Sequence, residues 1–166
     1  TTIGIEQITL RAVNATAITS SPFTYKQQVF QHSGARWEAD VVIPSTRRDL
    51  SDAWVSMLVS LRGASGTFLL GDPDHATQKG LATSMTITGS TGDETITVDA
   101  LDNTLYAGDH FQLGSGANSR LHMVLKDFEA GDTTLEIWPP LRRDYSTASC
   151  SFSSPKCVFR LASNVT

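Results

Sequence analysis

Apolar and polar residues alternate along much of the first 44 positions. Ile8, Leu10 and Ala12 alternate with polar neighbours, and Phe23 and Tyr25 open a second alternating run that continues to Val29. Trp37, Ala39, Val41 and Ile43 alternate with Glu38 and Asp40. A period of two marks half-buried strands, and Ser33-Gly34 is expected to turn the chain between the last two of them. The period then changes. Pro44 closes the strand, and Thr46 is placed to cap a helix with Asp49 three positions on, an approximate capping box. Leu50, Ala53, Trp54, Met57, Leu58 and Leu61 follow at helical spacing and predict one amphipathic helix over about 47–62. Gly63 is expected to end it by taking positive φ. Val55 and Val59 lie beside this stripe rather than on it. They either widen the core face or form a second buried surface against another subunit.

Past the helix, Thr67–Leu70 reads as a short strand and "GDPDHATQKG", 71–80, as a loop. From Ser84 the texture becomes that of a compact antiparallel meander. "SMTITGSTGDETITV" holds two Thr/Ile strands around a glycine-rich turn, "LYAGDHFQLG" a Gly-Asp turn into a strand, and "RLHMVLKDF" and "TTLEIWPPL" two more strands separated by the turn Glu129–Asp132. Pro139-Pro140 ends the last one. "ASCSFSSPKCVFRLA" reads as a terminal hairpin turning at Ser153–Lys156. The expected fold is mainly β with one amphipathic helix (α+β). A β-sandwich or split-barrel-like core is formed by 1–82 and 147–166, and a small antiparallel β-barrel is inserted at 83–146.

Composition narrows the function. The 166 residues fit one domain carrying an insert. A net charge of −4 argues against a nucleic-acid reader, which would show a basic face. No run of 18 apolar residues is present to span a membrane as a helix. The stretch "TTIGIEQITL" lacks the basic start and apolar middle of a signal peptide. The two cysteines, Cys150 and Cys157, make no disulfide framework. In the expected terminal hairpin Cys150 would face Phe159 and Cys157 would face Phe152, so the thiols would not meet.

Candidate chemistry is sparse. Gly63-Ala-Ser-Gly66 follows the C-terminal, negative end of the helix dipole, whereas phosphates bind helix N-termini. Asp72, Asp74 and His75 offer two carboxylates and an imidazole, but Gly71-Asp72-Pro73-Asp74 is also a natural β-turn. His32, His75, His110 and His122 each stand alone in sequence, without a nucleophile-elbow motif. Asp93-Glu94 sits in a turn and reads as a solvated pair. Arg47-Arg48 and Arg142-Arg143 suggest surface ion pairs or subunit contacts. Trp138 reads as a strand anchor, with a sugar platform as the alternative. No enzymatic activity, cofactor or metal site is expected.

Several segments, in their order, resemble distal tail proteins of long-tailed bacteriophages and related gene transfer agents. They are "RWEADVVIPSTRRDLSDAWVSMLVSLRGASGTFLLGDPDHATQKG", "LYAGDHFQLG", "LEIWPPLRRDY" and "KCVFRLASN". The resemblance covers most of the chain from about residue 36 onward. It implies a structural virion protein at the tail tip, assembled in the host cytoplasm. Such proteins form a ring, usually of six copies, that joins the tail tube protein to the hub or baseplate protein. The ring leaves a channel through which DNA passes, and the inserted barrel faces outward, where it holds side-fibre or receptor-binding parts. The resemblance carries over no catalytic residue. In that setting Val55, Val59, Arg47 and Arg48 are the candidate subunit interface, and Glu38, Asp40 and Asp49 are the acids nearest the ring-forming segments. A carbohydrate- or receptor-binding module that reads through the inserted β domain is the alternative function.

Overall fold

A computed structural model describes residues 4–129 and 131–164, the side chain of Leu50 excepted. The side chain of Leu50, the first member of the expected helical stripe, and Ala130, within the expected turn Glu129–Asp132, therefore lie outside the described residues. The fold is mainly β with one helix and a closed six-stranded antiparallel barrel.

The barrel holds the core. Its strands are β4 (Met85–Gly89), β5 (Thr95–Leu101), β6 (His110–Leu113), β7 (Arg120–Val124), β8 (Thr134–Trp138) and β9 (Tyr145–Ser151). They close in the order β4-β5-β8-β7-β6-β9. Alternation decides which side chains enter. Met85 and Ile87 of β4, Phe111 and Leu113 of β6, and Leu135 and Ile137 of β8 point inward, where Ile96, Leu105, Val124, Leu141 and Phe152 join them. Each large apolar side chain buried this way contributes about 1.5–3 kcal/mol. Closure leaves no strand edge exposed within the barrel. Its last strand, β9, extends past the boundary expected at residue 146.

The segment leading into the barrel is tied down by one carboxylate. Buried Asp109 accepts from Lys79 N at 2.5 Å, Gly80 N at 3.0 Å and Tyr106 N at 2.9 Å. Gly80 is needed there because a Cβ would lie 2.2 Å from the Thr104 carbonyl oxygen.

Outside the barrel, the chain forms two separate two-stranded sheets and the helix. β1 (Gln7–Ser20) and β2 (Gln27–Val42) make one long antiparallel hairpin, paired from Gln7–Val42 to Ser20–Gln27. This corrects the expectation of three strands. Phe23 and Tyr25 lie in the turn, which closes through Ser21 N to Lys26 O at 2.9 Å and Tyr25 N to Ser21 O at 2.9 Å. Pro22 cannot donate to a ladder and Tyr25 takes φ +53°, so the alternation there has no strand beneath it. Ser33-Gly34 is likewise not a turn. It lies inside β2 at a bulge: the register passes from Val13–Arg36 to Ala15–His32, three residues spanned on β2 against one on β1. A Cβ on Gly34 would sit 2.7 Å from Ala15 Cβ.

Helix α1 spans Arg48–Ser60. The expected Thr46 cap is absent: Arg47 holds the N-cap position and no side chain caps the first turn. Thr46 lies one residue too early to reach the free amides. The C-terminal end turns through Arg62 at φ +51° and Gly63 at φ +66°. Gly66 N then donates to Leu61 O at 2.7 Å, a contact so close that a Cβ would meet that oxygen at 2.5 Å.

The final strands also correct an expectation. β10 (Cys157–Phe159) does not fold back on β9. It pairs with β3 (Phe68–Leu70), Cys157 opposite Leu70 and Phe159 opposite Phe68. β9 is already paired on both sides, with β4 and β6, and has no free edge to offer. Cys150 and Cys157 thus sit in different sheets with free thiols, and burial pushes the Cys150 thiol up to about 12.

Candidate functional site

The helix and the hairpin arm carry apolar surface with nothing over it. Val55 and Val59 are 56% and 58% exposed. Their neighbours on the expected stripe are no better covered: Met57 is exposed and Trp54, Leu58 and Leu61 are only half-buried. Arg47 and Arg48 are exposed at the start of the helix, Arg47 with Nε 3.3 Å from Asp49 Oδ1. At the arm's tip Phe23 is 91% and Tyr25 83% exposed, with Ile18, Val29 and Phe30 open along its length. Among the described residues β1 and β2 pair in a sheet only with each other, so neither outer edge of the arm has a partner strand. From Asn14 to Ala35 the arm has a single formal charge, Lys26. Exposed, weakly charged edges of this length are templates for pairing with another chain.

Charge is divided between the two regions. Residues 83–151 hold ten acidic side chains against four basic, a net −6; the remainder hold seven against nine, a net +2, giving the −4 of the whole. Glu38, Asp40 and Asp49 are each matched by an arginine. Asp40 pairs with Arg11 at 2.5 Å, Glu38 with Arg36 at 2.6 Å and Asp49 with Arg47 at 3.3 Å. The net excess of acids lies in the barrel region. A cleft of about 440 Å³ there is bordered by Asp99, Asp102, Glu129 and Asp132. Asp102 spends its oxygens on Thr83 N, Thr83 Oγ1 and Ser84 N, which holds its carboxyl below the usual range.

A row of rings fastens the arm to the barrel. Trp37 of β2 meets Trp138 of β8 edge-on, centroids 4.6 Å apart, and meets His110 of β6 at 5.5 Å. His110 in turn meets His75 edge-on at 4.2 Å. Both indole N–H groups are used: Trp37 Nε1 donates to Leu121 O at 3.0 Å, and Trp138 Nε1 to Asn14 Oδ1 at 2.8 Å. Arg142 completes the attachment, donating to Ser33 O at 3.3 Å and to Ala35 O. Three of the residues flagged in the sequence thereby acquire intramolecular roles. Trp138 anchors the arm, and Arg142 grips the carbonyls at the bulge, while Arg143 donates to Asn118 Oδ1 at 3.0 Å.

The Asp72 loop is a turn, as its composition suggests. Asp72 Oδ1 accepts from Asp74 N at 3.0 Å and Oδ2 from His75 Nδ1 at 3.0 Å, around a single 3₁₀ turn at Pro73–His75. His75 and His110 are 35 positions apart in the chain and no spacing rule joins them. Only barrel closure and the Asp109 tether bring them together. His110 is 5% exposed, and neither ring nitrogen has a hydrogen-bond partner. Burial, then the neighbouring His75, lower its pKa from 6.5 to about 4. His122 is the second buried imidazole. It stacks on Phe111, its Nδ1 donates to Pro139 O at 2.8 Å, and burial lowers its pKa from 6.5 to about 4. Neither histidine stands beside a nucleophile.

No protein-family model matches the chain, and no curated protein matches it. The functional reading therefore rests on the order of its segments and on the surfaces just described.

Proposed function

We propose that the chain is a structural subunit of a ring, sixfold by its resemblance, at the distal end of a bacteriophage tail tube. The ring joins the tube protein to the hub or baseplate protein and leaves a channel for DNA. One observation carries this reading. The buried core is confined to the barrel, while the arm and helix leave apolar faces and unpaired strand edges that a lone chain cannot satisfy.

A ring subunit needs two different, mutually complementary patches, because a head-to-tail interface closes only by rotation. The arm has two free edges, and the helix offers Val55 and Val59 as a lateral contact, with Arg47 and Arg48 at its rim. A two-stranded hairpin is marginal alone, so pairing between arms gives it the neighbours it lacks. Six copies carry about −24 of formal charge. Because Glu38, Asp40 and Asp49 are matched by arginines, the excess negative charge resides on the barrels. Trp138, the residue that favoured a carbohydrate-reading module, is engaged by the arm, which favours the structural reading.

The test is the state of assembly. Purified chain, alone and with its tube and hub partners, forms closed rings visible by electron microscopy. Monomers only, with partners added, contradict the proposal.

A further inference from the structure

The arm lies on the barrel over a buried imidazole with no partner, and the attachment has a protonation state built into it. His110 is the first residue of β6. Its successor Phe111 points into the barrel, so His110 points out of the barrel wall. There it is covered from two sides: by Trp37 from the arm and by His75 from the 3₁₀ turn. Both coverings are lateral visitors to the barrel rather than parts of it. We infer that His110 is a proton-operated latch: neutral, it lets the arm and the 73–75 turn lie on the barrel; protonated, it releases them.

The chemistry is a single proton transfer from solvent to a ring nitrogen. The imidazolium has two N–H donors, and the packed arrangement offers an acceptor to neither, since both nitrogens are unpaired. A buried cation without hydrogen bonds is strongly disfavoured, and the least costly relief is water. Water reaches the ring when Trp37 or His75 lifts away, which leaves the barrel core intact.

The charged groups around the ring pull in opposite directions. On the 3₁₀ turn, Asp72 favours the cation and His75 opposes it; beside His110 on its own strand, Asp109 favours it. Asp72 is shared with His75 Nδ1, and Asp109 with three backbone amides, so neither carboxylate is free to turn toward His110 without breaking those bonds. The arm presents only the uncharged indole of Trp37, and the flanking Arg36 and Glu38 are paired with each other. Burial and His75 prevail. The latch stays shut at neutral pH and opens in acid, before the barrel itself yields.

The experiment follows, on the full chain by nuclear magnetic resonance, the through-space contact between the Trp37 and Trp138 rings and a set of barrel contacts such as Phe111–Phe152, from pH 7 to 3.5. The latch predicts loss of the indole contact as pH falls through the window from 6.5 toward 4, while the barrel contacts persist. His110→Leu keeps the indole contact across the range. Asp72→Asn removes a charge that favours the cation and moves the midpoint to lower pH; it covers the case in which His110→Leu does not fold. An indole contact that persists to pH 3.5 in the unaltered chain overturns the inference. So does one lost at the same pH in His110→Leu, one unmoved in Asp72→Asn, or one lost only together with the barrel.

Discussion

The barrel and the arm are both antiparallel β-structure, yet they reach stability by different means. In the barrel, six strands close on themselves, and alternate side chains from each share one interior. In the arm, two strands longer than any in the barrel pair only with each other, and Phe23, Tyr25, Val29 and Phe30 face solvent. Length and β-propensity are therefore poor guides to where the stability lies. Closure decides it, because it supplies a second layer to every strand and removes the edges. The arm holds its position through a few directed contacts, those of Trp37, Trp138, Asn14 and Arg142 and the hydrogen bond from Gln31 to Glu94.

The comparison breaks most violently at the barrel core. Phe111→Ala removes a fully buried ring and costs about 3–5 kcal/mol; chemical denaturation should show the whole fold weakened, arm included. Acid is next. The folded pKa of His122 is lowered to about 4 against 6.5 unfolded, so between those values the unfolded chain binds more protons and stability falls as pH falls. The loss is fully developed below about pH 4 and approaches about 3 kcal/mol for this residue. Urea midpoints at pH 7, 5.5 and 4 measure it, and His122→Leu removes this residue's share of the trend while leaving that of His110.

Trp37→Ala sharpens the comparison from the other side. It should cost about 1–3 kcal/mol, read as faster hydrogen exchange in residues 7–42 with the barrel amides unchanged. A matching rise in the barrel would show that the two regions are one cooperative unit. The smallest effect is expected at the arm's ion pairs. Arg36→Ala removes an exposed contact to Glu38 and should shift stability by less than about 1 kcal/mol.

Much of the barrel was legible in the sequence, because each of its strands brings its own period and its own turn: Ile87 and Ile96 flank a glycine turn, and Leu135 and Ile137 precede Pro139. The arm was harder. Its periodicity at Phe23 and Tyr25 imitates a strand because aromatic residues at an exposed tip obey no burial rule. Ser33-Gly34 has turn composition, yet its glycine answers a close approach by Ala15, which only the pairing reveals. The terminal hairpin misled because local sequence cannot say that β9 will be claimed on both sides. Val55 and Val59 were visible as surplus on the helix, whereas the Trp37–His110–His75 row was not, since its members come from three segments that only the closed barrel brings together.

The central claim is that the exposed helix face exists for a neighbouring copy. Val55→Asp combined with Val59→Asp tests it, with assembly followed by sedimentation and electron microscopy and the fold by circular dichroism. The account predicts a variant folded like the unaltered chain that no longer forms rings with its tube and hub partners. Rings that form normally from the doubly substituted chain contradict it.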